Sequence, residues 1–594
     1  MVKMARRFKA FTASVVAVLM AAVFMAGNFA YIQPVRAASL EGVTQAAGPV
    51  PDGSLRVHYQ RADQQYGHMG LWLWGDVKTP SEQAGNWPGG AAAFDGNQTT
   101  SYGAYLDIPL KDNAAHLNFI VVDKTNGVKE GGDKYVALTA SGPKEVWIKE
   151  GSDEVYLQEP SGPPTGGPED SQANFPAWSQ DSVIYEVNVR QFTKEGTFAA
   201  FEAHLPRLKE LGAEILWLMP IHPISQEKRV GTLGSYYSVA DYKAVNPEFG
   251  TMDDFQHLVD KAHDMGFKVM LDWVANHTGW DHPWIQNKSW YVTDAGGNIV
   301  APEGWSDAAE LNYDNRDMRA AMIDAMVYWV READIDGFRA DFASGAPQDF
   351  WETARRELDR IKPVYMLAED DTQIGLLRQA FNSNYNMGLF YNIMKQIPGG
   401  GVSAADVKAF LEAQAKKYPR GAYPMNYITN HDANSWEGTA SEMFGGAENL
   451  MAALSFTVPG MPLIYSGQEA GLNKRLQFFE KDEIDWSDLS KQDFYKRLIQ
   501  TKRENPALWN GNAGGPIKYL AADDGQVLAF EREKDGNKVF VLLNLSGTAR
   551  TAAVRAGASA GRYYDVFGQS YTDIGAEQSF TLAPWGYRIF AKSE

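Results

Sequence analysis

Two rhythms of hydrophobic and polar positions divide this chain. From about Ser54 to Gln158 the apolar residues come in short runs: Leu55–Tyr59, Leu71–Trp74, Ala104–Ile108 and Leu117–Val122. Turn-forming clusters separate them, such as Trp87-Pro88-Gly89-Gly90 and Gly131-Gly132-Asp133. That spacing predicts an all-β sandwich of about a hundred residues. Pro160 to Gly167 is rich in Pro and Gly and reads as a linker. From Asp181 onward, strand-like runs alternate with segments of helical periodicity. Val183–Val187, Ile215–Met219 and Lys268–Asp272 are predicted strands. Phe198–Leu211, ending at Gly212, and Asp253–Met265, stopped by Gly266, are predicted helices. The alternation continues to an eighth strand at Pro462–Tyr465 and predicts a TIM (β/α)8 barrel. One strand-to-helix connection, 278–315, is longer than usual, and predicts a small subdomain over the barrel mouth. After a helix ending near Asn505, short strands return, as in Lys538–Leu543. The expected fold class is therefore multidomain: an α/β barrel (177–510) joined by a linker (160–176) to an N-terminal β-sandwich (50–159) and followed by a C-terminal one (511–594).

Three carboxylates sit just beyond predicted barrel strands. Asp341 follows Ile335-Asp336-Gly337-Phe338, Glu369 ends Val364-Tyr365-Met366-Leu367-Ala368, and Asp432 follows Tyr427-Ile428-Thr429-Asn430-His431. Catalytic groups of such barrels come from the C-terminal ends of different strands. Paired carboxylates there suit glycosidic bond cleavage, in which one attacks or stabilises the sugar carbon and the other protonates the leaving oxygen. Arg339 lies two residues before Asp341, on the same side of a strand, and its charge is expected to hold the Asp341 pKa low. Glu369 has to be protonated, so burial and neighbouring carboxylates are expected to raise its pKa.

The net charge of −19 disfavours nucleic acid and anionic lipid as partners. The chain has no Cys, which excludes disulfides and thiol catalysis. Aromatic residues make up 12% of it, which leans towards sugar rings as ligands. A basic start (Lys3, Arg6, Arg7, Lys9), an apolar run from Phe11 to Ala30 and small residues at Val35 and Ala37 predict a signal peptide over 1–37, hence a secreted, extracellular protein with no membrane contact after cleavage. A retained membrane anchor is the alternative.

The motifs resemble the sequence signatures of the α-amylase family of glycoside hydrolases (family 13). Asp272-Trp273-Val274-Ala275-Asn276-His277 is similar to the family's first region, and Gly337-Phe338-Arg339-Ala340-Asp341 to its second. Leu367-Ala368-Glu369 is similar to the third region and Ile428-Thr429-Asn430-His431-Asp432 to the fourth. The resemblance implies Asp341 as nucleophile, Glu369 as general acid and Asp432 as transition-state carboxylate. It implies substrate contacts from Asp272, His277, Arg339 and His431, with Tyr237 of Gly234-Ser235-Tyr236-Tyr237 as stacking platform. Double displacement with retention is expected, with the Asp341 and Glu369 carboxyls about 5–5.5 Å apart.

Two departures accompany the resemblance. A Lys-His pair common after the nucleophile is replaced by Ser344 and Gly345, so the leaving-group side is expected to be built differently. The family's calcium finds matches at Asn276 and at the Gly345 carbonyl, with Glu310 where an Asp is customary, leaving calcium an open expectation and no organic cofactor expected. The N-terminal sandwich is similar to the starch-binding module (family 41-like) at the front of many pullulanases. That likeness implies Trp72 and Trp74 as stacking residues, Trp87 as a further binding residue, and Lys129 and Asp133 bonding hydroxyls. The pullulanase motif Tyr-Asn-Trp-Gly-Tyr-Asp-Pro is absent: Leu233-Gly234-Ser235-Tyr236-Tyr237-Ser238-Val239 stands there. The favoured reading is a secreted α-amylase cutting internal α-1,4 bonds of starch and related α-glucans. The alternatives are a neopullulanase, cyclomaltodextrinase or other pullulan-degrading enzyme, an α-glucan transglycosylase and, from another class, a non-catalytic glucan-binding protein.

Overall fold

A computed structural model describes residues 48–61, 64–94, 98–100, 102–138, 144–150, 155–156 and 171–592. The predicted signal peptide and most of the predicted linker lie outside the described residues. The chain forms two compact units, Met1–Pro163 and Pro164–Glu594. Among the described residues no helix is long and apolar enough to cross a membrane.

In the second unit eight parallel strands close a barrel in chain order. They are β1 (Ile184–Val187), β2 (Ile215–Leu218), β3 (Lys268–Val274), β4 (Gly337–Asp341), β5 (Tyr365–Ala368), β6 (Ser383–Tyr385), β7 (Tyr423–Asn426) and β8 (Met461–Tyr465). β8 pairs back onto β1 through Leu463–Ile184, Ile464–Tyr185 and Tyr465–Glu186. Every residue of β1, β2, β7 and β8 is buried, as expected of parallel strands packed on both faces. β6 reads Ser-Asn-Tyr and carries no apolar run.

The first predicted helix is broken into Phe198–Glu202 and Leu205–Leu211. Pro206 explains the restart, because a residue without an N–H fits only the first turn of a helix. The second predicted helix spans Met252–Asp264 and opens with a capping box between Thr251 and Asp254. Segment 278–315 is built mostly of short turns, and its two-stranded ribbon pairs His277–Thr278 with Ala309–Glu310.

The C-terminal strands form a six-stranded sheet packed on a three-stranded one. Strand Asn537–Asn544 explains its unbroken apolar run: Val539, Val541 and Leu543 join the barrel core, while Phe540 and Leu542 join the sandwich core. Each such buried side chain contributes about 1.5–3 kcal/mol. One face of this strand thus packs on the barrel core and the other on a separate sandwich core.

The N-terminal unit is a three-stranded sheet and a four-stranded sheet around Leu55, Val57, Leu71, Leu73, Phe119, Val121 and Ile148. Here Gly131-Gly132-Asp133 is not a turn. It lies inside strand Lys129–Ala137, in a bulge between the pairs Phe119–Lys134 and Val121–Glu130. The paired backbone on both sides carries the chain across the glycines, which are common at bulges.

Candidate active site

The site is organised around one guanidinium. Arg339, on β4, is fully buried and faces three carboxylates from three strands. Its Nη1 donates to Asp272 Oδ1 (2.8 Å, from β3) and to Asp341 Oδ1 (3.0 Å). Its Nη2 lies 2.8 Å from Glu369 Oε1, beyond β5, as an ion contact rather than an aligned hydrogen bond. Its Nε donates to the hydroxyl of Tyr385, on β6. Because Asp341 and Glu369 touch the same guanidinium, their carboxyls stay within that group's reach of each other. Glu369 Oε2 also accepts the Phe342 backbone N–H at 2.8 Å. Phe342 reaches that position with φ 40°, ψ 56°, a left-handed conformation unusual for a non-glycine residue and a form of local strain.

A second chain of polar contacts crosses the barrel mouth. His431 Nδ1 meets Glu186 Oε1, on β1, at 2.5 Å, and its Nε2 meets the Tyr237 hydroxyl at 2.7 Å. That hydroxyl donates to Asp272 Oδ2, which also accepts the Trp217 indole N–H. Burial lowers the His431 pKa, but the carboxylates of Asp432 and Glu186 outweigh it and carry it up to about 9. The protonated ring then donates through both nitrogens, to Glu186 and to Tyr237. Asp432 is the half-exposed carboxylate of the group, 3.3 Å from His431 Nε2. Tyr237 stacks on His431 with ring centroids 5.5 Å apart, whereas Tyr236 is buried beneath.

The expected low pKa of Asp341 is not what this environment produces. Burial raises it to about 6, and the opposing pull of Arg339 is shared among several acids. Burial likewise lifts Glu369, to about 7, Arg339 lowering it and Asp341 and Asp432 adding to the rise. This ordering leaves Asp341 as the better anion and Glu369 as the better acid. Activity that needs Asp341 ionised is lost as pH falls through about 6, and activity that needs Glu369 protonated is lost as pH rises through about 7. A bell-shaped profile of kcat/KM with its maximum between those values is expected. A flat profile from pH 5 to 9, marked off in about one-unit steps, would contradict it.

Matches to known proteins identify the family. Residues 175–523 match the profile described as alpha amylase, catalytic domain. The chain belongs to the α-amylase family of glycoside hydrolases. Residues 53–157 match the bacterial pullanase-associated domain, and residues 517–589 the maltogenic amylase C-terminal domain. Alpha-amylase MalA of Haloarcula japonica is 30% identical over 410 residues, 64% of this chain and 58% of that protein. A cyclomaltodextrinase of Bacillus sp. is 26% identical over 443 residues, 65% of this chain and 76% of that protein. The crystal structure of a noncanonic maltogenic alpha-amylase, AmyB from Thermotoga neapolitana, superposes with a TM-score of 0.64 at 27% identity, covering 70% of this chain and 99% of that one. Other relatives are named maltogenic alpha-amylase and neopullulanase.

Within the family arrangement, Ser344 and Gly345 occupy a short turn, Ala343–Gly345, after the β4 aspartate. Beside it, the Phe342 ring meets Trp305 of the inserted segment at 5.7 Å, and Trp305 meets His277 at 5.5 Å. Burial lowers the His277 pKa to about 4, so this imidazole is neutral. Asn276 is buried against Gly345: a Cβ on Gly345 would fall 2.2 Å from Asn276 Oδ1. These two can supply two oxygens. Glu310 instead lies near Glu303, and burial together with that neighbour raises its pKa. Among the described residues no group of three or more acidic, His or Cys side chains could hold a metal. The remainder of a six- to eight-oxygen shell would fall to backbone carbonyls and water.

In the pullulanase-type module, Trp72 and Trp74 lie half-buried on the outer face of strand Met69–Gly75, with Leu71 and Leu73 turned into the core. Trp87 stands 5.0 Å from Trp72, and Lys129 Nζ lies 5.6 Å from the Trp87 ring centre. Asp133 is exposed in the bulge. Across the sheet, Trp74 aligns with Asn118 and then with the exposed Tyr135. The structure therefore gathers Trp72, Trp87 and Lys129 and places Trp74 on the same face.

Sequence reasoning missed Glu186, Trp217 and Tyr385. For Glu186 a local signal exists, a lone carboxylate inside an otherwise apolar, fully buried strand. Trp217 and Tyr385 carry no such mark.

Proposed function

We propose that this protein hydrolyses short linear and cyclic α-1,4-glucans by double displacement with retention. Asp341 attacks C1 of the sugar while Glu369 protonates the departing oxygen. Glu369, now ionised, then takes a proton from the water that releases the glycosyl–enzyme. Asp432 holds the distorted sugar, His277 bonds its hydroxyls, and Tyr237 forms the platform beneath it. The observation that carries the mechanism is the shared Arg339 contact, which keeps Asp341 and Glu369 close, as retention requires. The preference for short and cyclic chains rests on the likeness of residues 517–589 to the maltogenic C-terminal domain and on the names of the relatives. Product analysis on soluble starch, pullulan and cyclodextrin side by side tests it. Rapid ring opening of cyclodextrin and panose from pullulan are expected. Fast thinning of starch with no action on cyclodextrin would overturn the preference in favour of internal cleavage by an α-amylase. The likeness to MalA favours that second reading.

The N-terminal module is proposed to bind starch through Trp72, Trp74 and Trp87, with Lys129 and Asp133 bonding hydroxyls. Trp72→Ala with Trp74→Ala is expected to weaken retention on insoluble starch by about tenfold or more, since Trp side chains at a binding face carry much of its energy. Turnover of soluble maltooligosaccharides should be unchanged. Equal retention would remove these residues from the binding face.

Secretion is proposed with cleavage after Ala37, and N-terminal sequencing of protein from the culture medium should begin at Ala38. A structural calcium ion is proposed at Asn276 Oδ1 and the Gly345 carbonyl. A rise in Tm on adding Ca2+ to chelator-treated protein supports it, and an unchanged Tm retires it.

A further inference from the structure

The Tyr237 platform is not the last aromatic surface of the site. Phe478, in the loop after β8, lies against Tyr237 with ring centroids 6.1 Å apart and planes 15° from parallel. Trp436, on the short helix Ala433–Glu437 after β7, meets Phe478 at 5.5 Å. Phe478 is partly buried, whereas Trp436 is 56% exposed. A line of rings thus runs from His431 and Tyr237 through Phe478 out to solvent at Trp436.

Both chain neighbours of the exposed Trp436 are fastened. Ser435 Oγ donates to the Leu476 carbonyl, and Asn434 exchanges hydrogen bonds with Lys474 and Leu476, tying the helix to the β8 loop. On the other side Glu437 accepts from the Tyr391 hydroxyl at 2.5 Å and pairs with Lys395. The indole between them packs on Phe478 and Phe479, and Trp436 stays more than half exposed. Rigid mounting of an uncovered aromatic face is what a stacking subsite needs, because the ordering cost is met before the ligand arrives.

Direction follows from the acid. Glu369 is held by the Phe342 N–H, and the Phe342 ring meets Trp305; that face of the acid is taken as the leaving-group side. The ladder instead leaves from the Tyr237 platform. We infer that Trp436, with Phe478 beneath it, forms a stacking subsite for a glucosyl unit on the non-reducing side of the cleaved bond, beyond the sugar held by Tyr237. This rests on the α-glucan reading above and deepens it: the site would grip at least two or three glucosyl units ahead of the cut and so set product length.

The test uses full-length protein and maltoheptaose carrying a fluorophore on its reducing glucose. Trp436→Ala is expected to lower kcat/KM about tenfold, as for a truncated Trp anchor. It is also expected to move cleavage towards the non-reducing end, giving longer labelled products. Trp436→Phe should restore the wild-type pattern. An unchanged cleavage pattern in Trp436→Ala would overturn the inference. So would loss of activity that Trp436→Phe does not restore, since that places the residue in the fold rather than in a subsite. If the wild-type protein cleaves no α-glucan at all, the α-glucan reading fails instead, so the two failures are distinguishable.

Discussion

Asp341→Asn abolishes turnover of α-glucans, by about four orders of magnitude or more, while the protein still binds them. The substitution keeps the shape of the side chain and one acceptor for Arg339, but replaces the anionic nucleophile that forms the glycosyl–enzyme with a neutral, weakly nucleophilic amide. The Arg339–Asp272 contact is untouched, so Tm should change little. Turnover measured alongside retention on insoluble starch checks both halves. Undiminished turnover would mean that chemistry does not pass through Asp341, and inactive wild-type protein that still binds starch would return the barrel to the glucan-binding class.

The second large effect belongs to Arg339, a positioning residue. Arg339→Met leaves Asp272, Asp341 and Glu369 facing one another in a buried site without their shared cation. Breaking a buried ion pair from one side costs about 3–5 kcal/mol, so this variant should melt much earlier or fail to fold. Arg339→Lys keeps the charge without the planar fork and can reach fewer of the three acids at once. It should fold, with kcat/KM reduced at least about a hundredfold. The sign of the pH effect follows from the contacts: Arg339 pulls the pKa of Asp341 and of Glu369 down, so weakening it raises both. Both limbs of the pH profile in Arg339→Lys should therefore move to higher pH. A loss of Tm with unmoved limbs would indicate a purely structural role.

Much of the site was legible because its chemistry is written locally. Asp341, Glu369 and Asp432 each follow a strand, and Arg339 shares a strand face with Asp341 by the two-residue period alone. The apolar–polar rhythm likewise sufficed for the barrel, since parallel strands and amphipathic helices have unlike periods. Elements whose local composition conflicts with their final state were not legible. β6 is polar, Gly131-Gly132-Asp133 has turn composition but lies in a bulged strand, and Phe198–Leu211 is cut at Pro206.

The sequence by itself determined which groups can do chemistry, because attack, protonation and charge balance depend on residue type and on strand register. Only the tertiary structure decided how those groups behave. Glu186 meets His431 across 245 residues of chain, and that contact helps carry the imidazole to about 9. The Asp341 pKa rises although an arginine stands beside it, because burial acts on the whole cluster while one cation serves several acids. The ladder from Tyr237 to Trp436 likewise exists only where the loops after β7 and β8 meet. Desolvation and long-range contact are properties of the packed barrel mouth, and no stretch of sequence carries them alone.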